Sequence, residues 1–548
     1  MNNTGIRKYF FLIVPLLFLV YSSPSALEYL FYFPDEKYYT DAVIQMMEKD
    51  DCFTPYQTDG APRFKKPILT YWVLMGSYKM FGVSRISSRL FFWLAGALLV
   101  LVTYLMGKTI SGNKKIALTA AFITAANPLV LMSACRSIPD ILLVLFLTLS
   151  AWGFLEIMIN EKPQKKFYWL AYLGAALAFE TKGFPAAAFA GVSMLFLVLN
   201  PWKKVRFRNI FEPLSMSVSV IVALSWFVIM YVQHGSEYWS LFFADQVGER
   251  VSSKTVQVAK NTFLGVINLI AFLIPWIIMV FSKPKELKIY ITQQNNKVKA
   301  VFGFILLWVV LVLLMSGAVF KFYDRYLLPV IPLVSVLLAW IFVQTKVSFK
   351  TTVLKIFIVL NVVVLALSVV FALFVIPNLV LIAGICFSLF VIGFYYANKY
   401  KTISGEIFIA NAVALLYFNA FVLLFPLLTP NAGSQLVDNL NKIGISENSK
   451  VYVYGNIRTA ASMRIYSENS FDIVSMDTVF ALPQAKDDLV VVNKKEIDRL
   501  DLTNYEVFEG AQEWKRILAD KFPTFLREAV VGLKENGTKY FIAKHKEE

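Results

Sequence analysis

Histidine is nearly absent from this chain, with two in 548 residues, and cysteine occurs only three times. A histidine-rich metal centre is therefore excluded. Cys52, Cys135 and Cys386 are odd in number and far apart, so they define neither a disulfide framework nor a thiolate metal cluster. Charge is also scarce: 16% of residues are Asp, Glu, Lys or Arg, and 37 acids face 53 bases, a net charge of +16. No Gly-rich phosphate loop is found, so nothing calls for a nucleotide fold. What is abundant is apolar, with 57% hydrophobic and 16% aromatic residues and a mean hydropathy of +0.60. Soluble domains have roughly 45–50% apolar residues and more charge, so this composition is that of a mainly α, polytopic membrane protein.

Apolar runs of about 18–25 residues can cross a hydrocarbon core of roughly 30 Å, and about thirteen occur before the sequence turns polar near Thr429. The expected spans are 9–28, 86–107, 115–133, 138–158, 168–181, 184–199, 211–232, 261–281, 300–319, 326–343, 352–376, 378–397 and 405–428. The N-terminal segment, with Arg7-Lys8, an apolar stretch and Ser22-Ser23-Pro24-Ser25-Ala26, imitates a cleavable signal but is read as an uncleaved first helix. With Arg7 and Lys8 cytoplasmic, the basic loops at Lys114-Lys115, Lys162/Lys165/Lys166, Lys203/Lys204/Arg206/Arg208, Lys283/Lys285/Lys288, Lys346/Lys350 and Lys399/Lys401 all fall inside. The excess positive charge is thus a topology signal rather than a nucleic-acid surface. An odd number of spans places residues 429–548, the loop at 34–85 and the loop at 233–260 on the opposite, periplasmic side of a bacterial inner membrane.

That same side collects the unusual polar clusters: Asp35-Glu36, Arg63/Lys65/Lys66, Arg85/Arg89, Arg136 with Asp140, Glu180 with Lys182, Asp245/Glu249/Arg250, and Lys321/Asp324/Arg325. Charges near hydrocarbon are costly and mark functional sites. Lys and Arg at a membrane face suit phosphate, Arg as a fork and Lys as a point charge, and a lipid phosphate fits the place. Interfacial anchors that snorkel to headgroups are the alternative, above all for Arg85 and Arg89. The loop at 34–85 starts with an amphipathic pattern, Ala42, Val43, Met46 and Met47, which predicts a helix behind the acidic pair. Turn signals follow at 51–55 and 59–62, and a second interfacial helix is expected from Lys66-Pro67 through Tyr71-Trp72.

Six motifs in order resemble the membrane glycosyltransferases that use polyprenyl-phosphate sugars, in particular the lipid A aminoarabinose transferases and protein mannosyltransferase relatives. They are Pro34-Asp35-Glu36-x-x-Tyr39; Phe64-Lys65-Lys66-Pro67 with Tyr71-Trp72; Arg136-Ser137-Ile138-Pro139-Asp140; Thr181-Lys182-Gly183; Phe242-Phe243 through Glu249-Arg250; and Arg325-Tyr326-Leu327-Leu328-Pro329. The pattern covers roughly the first 340 residues. The resemblance implies a GT-C glycosyltransferase fold of about thirteen transmembrane helices. It also implies a polyprenyl (undecaprenyl) phosphate sugar donor and an acceptor that is lipid A, with protein or another surface glycan as the alternative.

By the same resemblance Asp35 and Asp140 are the catalytic candidates. Lys66, Lys182, Arg250 and Tyr326 would hold the donor phosphate, and Glu36, Tyr39, Arg63, Lys65, Arg136 and Glu249 would line the acceptor cavity. A hydroxyl acceptor needs a base such as Asp35, whereas a phosphate acceptor needs only orientation. One departure concerns metal use. Aminoarabinose-type relatives usually have Glu before Lys-Pro, where it can hold a metal with a histidine; here Lys65 stands there, and an ion pair with Asp245 is the expected substitute. No cofactor or metal ligand set is assigned, and a divalent metal stays open.

The region 1–428 is read as the transmembrane catalytic domain and 429–548 as a small soluble α/β domain. Strands are expected at 450–454, 462–466, 488–492 and 539–543, with helix at 511–521. A transporter is the rival class, disfavoured because the charges gather on one face and no inverted repeat is detected. A noncatalytic lipid-binding scaffold would tolerate loss of Asp35.

Overall fold

A computed structural model describes residues 10–27, 34–244, 255–281, 284–344, a few positions between 359 and 366, and 432–445, 449–455, 457–476, 479–513 and 538–546. The expected spans 378–397 and 405–428, and nearly all of 352–376, lie outside these residues. Each earlier expected span falls largely on helix, although 261–281 is interrupted by a turn at 273–275. The first pair is α1 (Ile13–Leu27) and α2 (Pro34–Glu48), followed by α3 (Leu69–Phe81) and α4 (Arg85–Ser111). Ser84 and Ser87 close a reciprocal capping box at the start of α4, and Gly112, at φ 68°, ends it in the left-handed region.

The expected span at 115–133 is broken into α5 (Lys114–Ala125) and α6 (Pro128–Ala134), bent by 62°. The break is written in Asn127-Pro128: the Asn127 side chain accepts from the Leu129 N–H and Pro128 occupies the first turn. Next comes an antiparallel pair, α7 (Pro139–Ile159) and α8 (Lys165–Lys182). Added side-chain atoms at Gly153 would overlap the Ala171 backbone, and at Gly174 would come within 2.9 Å of the Phe146 carbonyl oxygen and the Ser150 nitrogen. Glycines on both helices thus allow close backbone approach, the usual device of helix pairs in lipid. Asp140 stands in the first turn of α7 and Lys182 in the last turn of α8, so this contact brings them to the same end of the bundle. Gly183, at φ 78°, separates α8 from α9 (Phe184–Leu199).

The bundle continues through α10 (Pro213–Phe243), interrupted at Gly235 with φ 63°, then α11 (Thr255–Phe272), α12 (Trp276–Phe281), α13 (Pro284–Gln293) and α14 (Asn296–Ala318). A 3₁₀ stretch, Asp324–Val330, leads into α15 (Ile331–Gln344). Among the described residues six helical segments are long and apolar enough to cross a membrane, or seven if the bent pair is one span. Their number, length and composition are those of a multi-pass membrane protein.

The C-terminal part is α/β: α16 (Ala432–Ile443), β1 (Lys450–Tyr454), α17 (Ile457–Tyr466), β2 (Asp472–Met476), β3 (Leu489–Asn493), β4 (Tyr505–Glu513) and β5 (Thr538–His545). The sheet order is β2-β1-β3-β5-β4, with β1 parallel to β2 and β3, and β5 antiparallel to β3 and β4. Leu436, Leu440, Val451, Val491 and Ile542 fill one face, and Val490, Val492, Tyr505 and Ala543 the other. Three expected strands are present, but 462–466 is not one of them; it lies in α17. The alternation of buried Met463 and Ile465 with polar neighbours imitates a strand, while Ala460, Ala461 and the tertiary tie of Arg464 belong to a helix. The expected helix at 511–521 begins instead as the end of β4, and the rest of it lies outside the described residues.

Candidate active site

Four charged side chains from four segments form a chain at the end of the bundle nearest the α/β domain. Lys182 Nζ lies 2.6 Å from Asp140 Oδ1, Arg325 Nε lies 3.8 Å from Asp140 Oδ2, and Arg325 Nη2 lies 2.7 Å from Asp35 Oδ2. Pro139 starts α7 and leaves Asp140 in its first turn, where a carboxylate also meets the positive end of the helix dipole. Asp140 is 4% exposed and enclosed by its two cations, whereas Asp35, in the first turn of α2, is 41% exposed. The buried acid therefore orders the cations, and the open one faces whatever enters.

The donor-phosphate candidates that the structure describes gather here. Lys182 Nζ sits 5.3 Å from the centre of the Tyr326 ring, and Lys66, 7% exposed, is close enough to act electrostatically on Asp140. Arg250, Glu249 and Asp245 lie outside the described residues, so the Lys65–Asp245 ion pair does as well. Lys65 itself is exposed. Arg325 stands in a motif but not among the expected site residues. Its grip on both acids depends on the 3₁₀ turn after α14, a fold-level fact that its position in the sequence does not carry.

The aromatic wall is built on α2 and α3. Arg63 lies over the Tyr38 and Tyr39 rings, 5.1 and 5.9 Å from their centres, and its Nε donates to the Tyr71 hydroxyl at 3.4 Å. The Tyr39 and Tyr71 rings are 5.1 Å apart. Burial holds the Tyr39 phenol well above its usual value, with neighbouring Tyr71 adding to the rise and Arg63 opposing it. Tyr39 therefore remains neutral. Arg136 is 8% exposed, in the turn just before α7.

Glu36 faces away from this chain. Its two oxygens take the Arg89 Nε and Nη2 at 2.6 and 2.8 Å, and Oε1 also accepts from the Ser137 N–H at 3.0 Å. Arg89, 2% exposed, is a buried partner rather than an interfacial anchor. The pair pins α2 to α4 and to the turn that precedes α7, which fixes where Asp35 begins. Among the described residues, no three His, Cys, Asp or Glu side chains gather as a metal site. His234 is turned to Thr54 Oγ1 at 3.0 Å and packs 5.0 Å from the Phe64 ring, beside Lys65.

The bundle with its appended α/β domain has the GT-C fold of the solved structures that it matches. The chain is similar along nearly its whole length to the crystal structures of ArnT from Cupriavidus metallidurans, in the apo state (TM-score 0.69, 15% identity, 98% of each chain covered) and bound to undecaprenyl phosphate (TM-score 0.68, 14% identity, 99% of this chain and 98% of that one). A dolichyl-phosphate-mannose-protein mannosyltransferase family model matches residues 65–231. The undecaprenyl phosphate-alpha-4-amino-4-deoxy-L-arabinose arabinosyl transferase of Pectobacterium atrosepticum is 26% identical over 344 residues, 62% of this chain and 60% of that protein. An uncharacterised protein of Aquifex aeolicus is 29% identical over 247 residues, 44% of this chain and 47% of its own. The chain thus spans less than two thirds of the length of these last two proteins. The resemblance drawn from the six motifs stands.

Proposed function

We propose that this protein transfers a sugar from undecaprenyl phosphate to lipid A, in the manner of the aminoarabinose transferases, at the periplasmic face of the inner membrane. The carrying observation is the chain Lys182–Asp140–Arg325–Asp35, which gathers residues of four motifs into one cluster of cations around two acids. In this reading residues 1–428 are the catalytic membrane domain and 429–548 the periplasmic domain.

Lys66, Lys182, Arg250 and Tyr326 hold the donor phosphate. In the transfer, the bond between the anomeric carbon and the donor phosphate oxygen breaks, and the phosphate keeps the electron pair. Cations already in place stabilise the charge that grows there. A new bond forms from an acceptor oxygen to the anomeric carbon, on the face opposite the leaving group. A lipid A phosphate is already anionic and requires no base, so Asp35 orients the sugar and balances positive charge developing on its ring; with a hydroxyl acceptor it would take the proton. Asp140, closed between Lys182 and Arg325, acts through the placement of those two. Arg63, Arg136, Tyr39 and Lys65 serve the acceptor, a role that the motif resemblance also gives to Glu249, while Glu36 holds α2.

Expression in a bacterial strain without its own aminoarabinose transferase tests this, with lipid A analysed by mass spectrometry. Lipid A heavier by one aminoarabinose is expected with the wild type and not with Asp35→Asn. Unmodified lipid A together with glycosylated protein would move the chain to the mannosyltransferase alternative.

A further inference from the structure

Among the described residues, buried ion pairs grip the helix that presents Asp35 on two sides, one from the membrane bundle and one from the α/β domain. On one side Glu36 is fixed by Arg89. On another, Arg464 of α17 places Nη1 2.9 Å from Asp41 Oδ1, with side chains 8% and 1% exposed. The same guanidinium donates through Nη2 to the Ile473 carbonyl at 2.6 Å, so it links β2 to α2. Nearby, Arg458 Nε donates to the Tyr38 hydroxyl at 3.0 Å, and Arg85, at the start of α4, lies 5.2 Å from the Tyr466 ring centre. Asp35, Tyr38 and Asp41 are spaced by three, so each neighbours the next along the surface of α2. The contacts from the α/β domain are therefore made beside the row that begins at Asp35.

We propose that Arg464 is a positioning residue, through which the α/β domain sets the orientation of α2 and hence of Asp35 in the transfer reaction. This rests on the transferase reading above and gives the C-terminal domain a part in turnover. The physical ground is the depth of the pair. Removing one partner leaves a buried charge uncompensated, and the helix must move to rehydrate it. A displacement of about 1 Å at a reacting group costs on the order of 100-fold in rate. Donor binding should be spared, because Lys66, Lys182 and Tyr326 stand on segments other than α2.

The experiment uses full-length protein in liposomes, with turnover normalised to bound undecaprenyl phosphate so that loss of folded protein does not count. Arg464→Gln and Asp41→Asn are expected to lower kcat roughly 10- to 100-fold with little change in the donor KM. The double variant should be no worse than the worse single one, because both remove one interaction. Arg464→Lys should recover part of kcat. Tyr38→Phe removes only the hydroxyl that Arg458 reaches and keeps the test available should Arg464→Gln fail to fold; a smaller loss in kcat alone is expected. Full kcat per bound donor in these variants, additive losses in the double variant, or a loss confined to donor KM would overturn the proposal. Absence of transfer by the unaltered protein would overturn the transferase reading first, and this inference with it.

Discussion

At the scale of single residues, the site depends on which charges are paired with which. Arg325 reaches both Asp35 and Asp140 with different nitrogens of one guanidinium. A lysine ammonium is a compact point charge and cannot span them. Arg325→Lys is therefore expected to lower kcat by about 100-fold, the scale of losing one electrostatic contact to a reacting centre, measured by single-turnover transfer at saturating donor. The Glu36–Arg89 pair makes a contrasting case. Arg89→Leu should destabilise the fold by about 3–5 kcal/mol because Glu36 is left charged and buried, whereas Glu36→Gln combined with Arg89→Leu should cost clearly less; thermal unfolding in detergent compares them. The charged residues themselves are legible in the sequence, as departures from an apolar background. Their pairing is not. Asp35 and Glu36 are adjacent letters, yet one opens toward the site and the other closes on Arg89, because successive helical residues point about a quarter-turn apart. Arg325 is visible as a motif letter, but its reach to two acids needs the fold.

At the scale of elements, the contact of α7 with α8 decides whether Asp140 and Lys182 meet. Leucine at position 174 would drive atoms into the Phe146 and Ser150 backbone, which would stand only 2.9 Å from the first carbon of any side chain placed there. Overpacking of this kind costs about 1–3 kcal/mol. Gly174→Leu is expected to lower thermal stability by that amount and to reduce transfer as Lys182 is displaced from Asp140. Gly191→Ala serves as the comparison, since nothing lies within 4 Å of the added carbon. Helix positions are legible because runs of apolar residues and caps such as Asn127-Pro128 are local signals. The break between α5 and α6 escapes a length count, which reads both as a single hydrophobic run. The α17 segment misleads for the opposite reason, since a short alternation of apolar residues satisfies strand and helix patterns equally.

At the scale of the whole molecule, similarity to both ArnT crystal structures extends over nearly all of the chain at 14–15% identity, so the fold is retained where few letters are. Hydropathy makes the membrane class plain, and the six motifs point to a family. The parallel core of the C-terminal sheet, β2-β1-β3, and the seam that joins that domain to α2 are out of reach of the sequence, since Asp41 and Arg464 are separated by most of the chain. The measurement that bears most directly on the central claim is transfer by purified protein in liposomes containing an undecaprenyl-phosphate sugar and lipid A, following both products. Release of undecaprenyl phosphate in step with a one-sugar mass gain on lipid A, both lost in Asp35→Asn, is the expected result. Donor that binds but remains intact, or equal transfer by Asp35→Asn, would contradict it.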